Sequence, residues 1–278
     1  MSALPPITDI ELISPNGSAI DPKRTSLTLS PKLKTNHLTC FGESENSMKK
    51  ITALVILFAF AFLFQSCSQE SEHQEDAKQY FVYIHERIPD IVLDVRYFSE
   101  DNFMGTRVDG YHKAVILVSE QAAQALSEVQ KKLNQQELGL KIFDAYRPQK
   151  AVDHFVRWAK DPADTLTKRR YYPNLPKDRL FELGYIAEKS GHTRGSTLDL
   201  TVVDLKTGAE LDMGSPWDFF GEISHHDSSL VNEEATANRN LLRDVMIKHG
   251  FEPLANEWWH YTLEDEPFPE RYFDFDVE

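Results

Sequence analysis

The sequence predicts a single α+β domain over residues 80–278, with a central antiparallel sheet flanked by helices. Two observations lead there. Short apolar strands alternate with helical periods, but without the regular spacing of repeated βαβ units. No glycine-rich phosphate loop joins a strand to a helix, as a doubly wound parallel fold would show.

The chain before that domain reads as three segments. Residues 1–47 carry Pro, Ser, Thr and Asn with no sustained apolar period, the composition of a disordered segment. Residues 48–66 hold Met48-Lys49-Lys50, an apolar run from Ile51 to Phe64, and Ser66 ahead of Cys67. A basic start, a short apolar run and a small residue are the parts of a secretory signal. The run is too short to span a bilayer comfortably. Cys67 after the small residue resembles the lipid acceptor of a bacterial lipoprotein. Met48 is then the expected start, with residues 1–47 an upstream extension. The competing reading is a membrane helix with a cytoplasmic tail. Residues 67–79 form a polar tether.

Within the domain, Ile91 to Tyr97 reads as a strand, followed by turn chemistry at Asp101-Asn102 and Asp109-Gly110. Ala114 to Val118 is a second strand. Ser119 caps a helix whose Ala122, Ala125, Leu126, Val129 and Leu133 recur at helical spacing, with Gly139 as its stop. Leu140 to Tyr146 alternates as a strand, with Leu140, Ile142 and, less cleanly, Asp144 on one face. Pro148 stops it, and a helix runs from Gln149 to Lys160. Residues 161–178 are a loop. Thr197 to Val203 is a strand, residues 204–234 a long irregular connection, Glu234 to His249 a helix ended by Gly250, and Trp258 to Leu263 a closing strand.

The net charge of −14 argues against a nucleic-acid partner. The two cysteines, Cys40 and Cys67, both precede the domain. A metal held by the domain therefore sits on His and carboxylate, which suits a catalytic zinc better than a structural one.

His192, Asp199 and His260 supply such a set: two imidazoles and one carboxylate, leaving a position for water. Gly191 and Gly195 let the backbone turn around His192. Asp199 shares a strand face with Thr197 and Thr201, opposite Leu198, Leu200 and Val202. A solvent edge presents the same pattern. Glu257, three residues before His260, must lie at a bend to reach the same site, where it serves as general base. Its bland alternative is a surface Glu beside the Trp258-Trp259 pair. Arg147, at the end of a strand, is a candidate oxyanion stabiliser or an ordinary surface Arg.

Asp144-Ala145-Tyr146-Arg147-Pro148, Ser190-x-His192 followed at Asp199-Leu200-Thr201, and Glu257-Trp258-Trp259-His260 together resemble the zinc D-alanyl-D-alanine dipeptidases, the VanX-like group. Asp101-Asn102-Phe103, Met213-Gly214-Ser215, Ser224-His225-His226 and Tyr272-Phe273-Asp274-Phe275 extend the resemblance through most of residues 80–278. It implies one Zn2+ per chain on His192, Asp199 and His260, Glu257 as base and acid, and Arg147 on the oxyanion. It implies Ser190 and Asp218 as holders of the substrate's free amino group, and a D,D-dipeptide as substrate. His225 and His226 match the pattern but receive no catalytic role. The front of the chain departs from it: the resistance-linked members work in the cytoplasm, whereas this chain carries an export signal and a lipid-anchor cysteine. Two other functions are compatible with the residues. One is a zinc D,D-carboxypeptidase or peptidoglycan endopeptidase of related fold. The other is a lipoprotein that binds wall fragments without turnover.

Overall fold

The computed structural model describes residues 78–278. The apolar run, Cys67 and most of the tether lie outside the described residues. Among those described, no helix is long and apolar enough to cross a membrane.

A five-stranded mixed sheet with flanking helices forms the α+β body. Its strands are β2 (Val92–Leu93), β4 (Leu138–Asp144), β5 (Thr197–Asp204), β6 (Phe251–Pro253) and β7 (His260–Leu263), in the order β2-β4-β5-β7-β6. All neighbours are antiparallel except β2, which pairs parallel to β4 at one edge. A separate antiparallel pair joins β1 (Phe81–Tyr83) to β3 (Leu117–Ser119).

The helices follow their sequence signals. The helix α2 (Glu120–Asn134) comes after a short α1 (Ile84–Arg87). Ser119 caps α2 by accepting from Ala122 N, and Ala122, Ala123, Leu126, Val129 and Leu133 are fully buried beneath it. The helix ends at Asn134, before Gly139. The reversal falls on Glu137, which takes a left-handed φ of 60°, and Gly139 is already inside β4. Next come α3 (Gln149–Ala159) and the short α4 (Lys168–Tyr171) and α5 (Arg179–Glu182), the former inside what reads as a loop. Finally α6 (Glu233–Lys248) is capped by Asn232 and followed by Gly250 at φ 82°. The predicted strand at Ile91 to Tyr97 contracts to two residues, because Arg96–Phe98 winds into a 3-10 turn. The strands β1 and β6, three residues each, are too short to leave a period in the sequence.

Both faces of β5 are buried, the threonine-aspartate face as well as Leu198, Leu200 and Val202. Asp199 is therefore an interior residue of a central strand. The C-terminal segment explains its own aromatic pattern by strapping the domain together. Phe273 N donates to Thr193 O at 3.0 Å, and Tyr146 Oη donates to Phe275 O at 2.8 Å. Val277 N donates to Gly110 O at 2.8 Å. Phe81 packs edge-on to Tyr146, Phe273 and Phe275, with centroids at 5.0, 5.2 and 4.9 Å.

Gly195 sits under that aromatic cluster at φ 85°, and an added Cβ would lie 2.1 Å from Phe81 Cε1. The left-handed backbone costs a non-glycine residue about 1–2 kcal/mol, and overpacking a further 1–3 kcal/mol or so. Gly195→Ala is expected to lower stability by at least about 2 kcal/mol in urea denaturation. An unchanged midpoint would show that the turn relaxes freely.

Candidate active site

Sheet register assembles the site. Asp144 on β4 pairs with Asp199 on β5, and Asp199 pairs with His260 on β7, so three polar residues form one row across adjacent strands. Directly paired residues point to the same face. That row needs an irregularity. Ile142 pairs with Leu200 while Asp144 pairs with Asp199, so two steps on β4 match one on β5. The extra residue is Phe143, a β-bulge that turns Asp144 away from the Ile142 face. The plain alternation that puts Asp144 with Leu140 and Ile142 is corrected by this bulge.

His192 reaches the row from a 3-10 turn, Gly191–Arg194. Ser190 starts the turn, its Oγ accepting from His192 N at 3.3 Å, and Gly195 ends it. A Cβ on Gly191 would meet Thr197 Oγ1 at 2.7 Å, so glycine is required there by close approach. Glu257 arrives through a tight turn in which His260 N donates to Glu257 O at 3.2 Å. This is the bend that the Glu257–His260 spacing demands.

The three candidate ligands converge. One donor atom from each of His192, Asp199 and His260 lies within 4.8 Å of the others. His192 Nε2 and His260 Nδ1 are 3.3 and 3.2 Å from Asp199 Oδ1, and 3.2 Å from each other. Asp199 Oδ1 is nevertheless buried without a hydrogen-bond partner. On the far side of its ring, His192 Nδ1 stands 2.8 Å from Ala145 O, where it donates. The Nε2 lone pair then faces the cluster, the arrangement that a metal-ligating imidazole needs. An orphaned carboxylate oxygen facing two imidazole nitrogens fits a divalent cation by both chemistry and spacing. Burial keeps the His192 imidazole neutral by lowering its pKa. Burial opposes the charge of Asp199, but His192 and His260 outweigh it and hold the carboxyl well below its ordinary range.

Arg147 is an interior residue, 11% exposed. Its Nε donates to Asp144 Oδ2 at 2.9 Å, and Nη2 lies 3.5 Å from Asp199 Oδ2. The guanidinium lies over the rings of Tyr97 and Phe155, at 5.1 and 5.0 Å from their centroids. Tyr111 Oη holds the other Asp144 oxygen at 2.6 Å. Asp144, Tyr97 and Tyr111 were not legible as site residues. Asp144 opens the Asp144-Ala145-Tyr146-Arg147-Pro148 motif, but nothing in the spacing reveals the bulge. Tyr97 and Tyr111 stand near the Asp101-Asn102-Phe103 motif and the Asp109-Gly110 turn, but neither carries a signal of its own.

A cavity of about 200 Å³ opens on this cluster, lined by Tyr97, Arg147, Ser190, Asp218, Glu257 and His260 among others. That is smaller than the roughly 300–1,000 Å³ of pockets for drug-sized ligands. Asp218 is 6% exposed, takes a left-handed φ of 59°, and accepts from Tyr97 Oη at 2.7 Å. Burial, and then the charge of Asp199, push its carboxyl well above the ordinary range. Burial and Asp199 likewise push Glu257 up to about 8, against Arg147. Glu257 Oε2 is 3.4 Å from His260 Nδ1. The structure thus gathers His192, Asp199, His260, Glu257, Arg147, Ser190 and Asp218 around one cavity. His225 contacts Tyr185 Oη at 3.2 Å and His226 is buried against Tyr261; neither belongs to the metal-ligating group.

The model of the peptidase M15 family, described as D-ala-D-ala dipeptidase, matches residues 77–278. A D-alanyl-D-alanine dipeptidase of Streptomyces coelicolor is 44% identical over 197 residues, covering 71% of this chain and 98% of the relative. One of Enterococcus faecalis is also 44% identical, with the same coverage. A third, of Escherichia coli, is 31% identical over 175 residues, covering 63% of this chain and 80% of the relative. A site of two imidazoles and a carboxylate, and a match through the whole folded body, agree: the chain belongs to the D-ala-D-ala dipeptidase family of metallopeptidases.

Proposed function

We propose that this protein is a zinc-dependent dipeptidase that hydrolyses D-alanyl-D-alanine to two D-alanines, in peptidoglycan metabolism. The carrying observation is the pairing of a metal-ligating group with a buried carboxylate, Asp218, in one small cavity. The names of the relatives support the substrate.

His192, Asp199 and His260 would hold one zinc ion per chain. The bound ion supplies Lewis acidity, polarising the scissile carbonyl and making water acidic near neutral pH. The chain's own groups do the rest. Asp218, with Ser190 on the wall of the same cavity, receives the substrate's ammonium. A cation there balances a buried carboxylate that now has a hydroxyl for company. A longer or N-blocked peptide would bury the Asp218 carboxylate with only the Tyr97 hydroxyl against it and no cation, so specificity for a dipeptide comes from this closed end. Glu257 takes a proton from the attacking water and delivers it to the leaving amine. Burial holds its carboxyl above the ordinary carboxylate range, which suits a group that both takes up and returns a proton. Arg147 is aimed by Asp144 and held over Tyr97 and Phe155, where it stabilises the negative charge growing on the carbonyl oxygen.

We also place this domain outside the cytoplasm, tethered to a membrane through lipid on Cys67. The basic start at Lys49-Lys50, the short apolar run and the Ser66-Cys67 junction support that reading. The substrate pool is then dipeptide from wall turnover or the surroundings.

Two tests follow the chemistry and one the anchor. Glu257→Gln is expected to keep one zinc per chain and to lose roughly 10²–10⁴-fold in kcat; loss of zinc would make Glu257 a ligand instead. D-alanyl-D-alanine is expected to be hydrolysed at least about 10³-fold more efficiently than its N-acetyl form. Activity confined to the blocked substrate would support a carboxypeptidase. Intact mass of the membrane fraction is expected to show acyl mass on a mature chain beginning at Cys67, and an unacylated Cys67 would overturn the anchor.

A further inference from the structure

Arg239, on α6, is fully buried and forms no ion pair with a carboxylate among the described residues, Asp212 acting on it only from a distance. Its Nε donates to Met213 O at 2.7 Å, and its Nη1 to His225 O at 2.7 Å. Nη2 donates to Ile223 O at 2.8 Å and to Ser215 Oγ at 3.3 Å. One guanidinium therefore ties the beginning of the segment 213–225 to its end, and Asp218 lies in the span between. The tie also reaches the other side of the cavity. Ser215 Oγ accepts from Trp258 Nε1 at 3.0 Å, and Trp258 N donates to Ser224 O at 3.0 Å. Trp258 follows Glu257, and Arg239 Cζ lies 5.9 Å from the Trp258 ring.

Taking a cation out of water is costly, and neutral partners return only part of that cost. A bland core role is served equally by an apolar side chain. What an apolar side chain cannot do is bridge carbonyls on two stretches of backbone, and a lysine ammonium cannot spread over them as a planar fork does. The segment needs such a bridge. Asp218 sits at φ 59°, a left-handed conformation that costs a non-glycine residue free energy which the surrounding contacts must offset.

We propose that Arg239 is a positioning residue that fixes Asp218 opposite the Glu257 turn, and so sets selectivity for dipeptides with a free amino terminus. The proposal rests on the reading of Asp218 as the ammonium site. It is tested with two phosphinate dipeptide inhibitors, one carrying the free amino group and one lacking it. In the parent protein the amino group is expected to tighten inhibition. In Arg239→Lys that advantage is expected to shrink by at least about 10-fold, while the inhibitor without the amino group binds as before and zinc stays at one per chain. Ser215→Ala keeps the guanidinium and removes one strut, so the same shift appears in smaller degree even where Arg239→Lys folds poorly. A fall in melting temperature with the amino-group advantage intact in both variants would overturn the proposal. If the parent itself shows no such advantage, the reading of Asp218 fails first, and the proposal with it.

Discussion

The carboxylate of Asp199 is buried in the middle of a sheet, with one oxygen facing two imidazole nitrogens and no proton donor. Such a group is expensive unless a cation meets it. The neighbouring structure is arranged around that demand. The bulge at Phe143 rotates Asp144 into the same row, which brings Arg147 within 3.5 Å of the other Asp199 oxygen. The turn from Ser190 to Gly195 presents His192, and Ala145 O sets its tautomer. The C-terminal strap reaches both flanks, through Thr193 and through Tyr146.

The same charge organises the substrate end. Asp199 is among the influences that raise the Asp218 and Glu257 carboxyls, after burial itself. Three acidic groups around so small a cavity repel one another, and Arg147 is the cation that faces all of them. In the proposed reaction, a metal ion and a substrate ammonium complete that balance. On that proposal neither end of the site is comfortable alone, and a small zwitterion together with the metal answers both.

Much of this was legible in the residues. Helices α2, α3 and α6 announce themselves through Ser119, Pro148 and Gly250 and through their apolar spacing. The bend at Glu257 follows from needing Glu257 and His260 on one side. Other features were hidden for physical reasons. A bulge changes which face a residue occupies without changing its neighbours in sequence, so Asp144 looked like a core-side position. Tyr97 and Tyr111 act on Asp218 and Asp144 from 121 and 33 residues away, and nothing local marks them. The polar face of β5 reads as a solvent edge, because burial of a threonine-aspartate face is decided by what packs on it. Arg239 has the appearance of a surface arginine on an amphipathic helix until its carbonyl partners are seen.

His192, Asp199 and His260 converge on a site with the spacing and chemistry to hold one divalent cation. Titrating zinc into chelator-stripped protein, while following both heat of binding and thermal unfolding, tests it directly. One equivalent is expected to bind per chain and to raise the unfolding midpoint, since a ligand held only by the folded state at about 1,000 times its Kd adds roughly 4 kcal/mol of stability. No binding, or an unfolding midpoint indifferent to zinc, would contradict it.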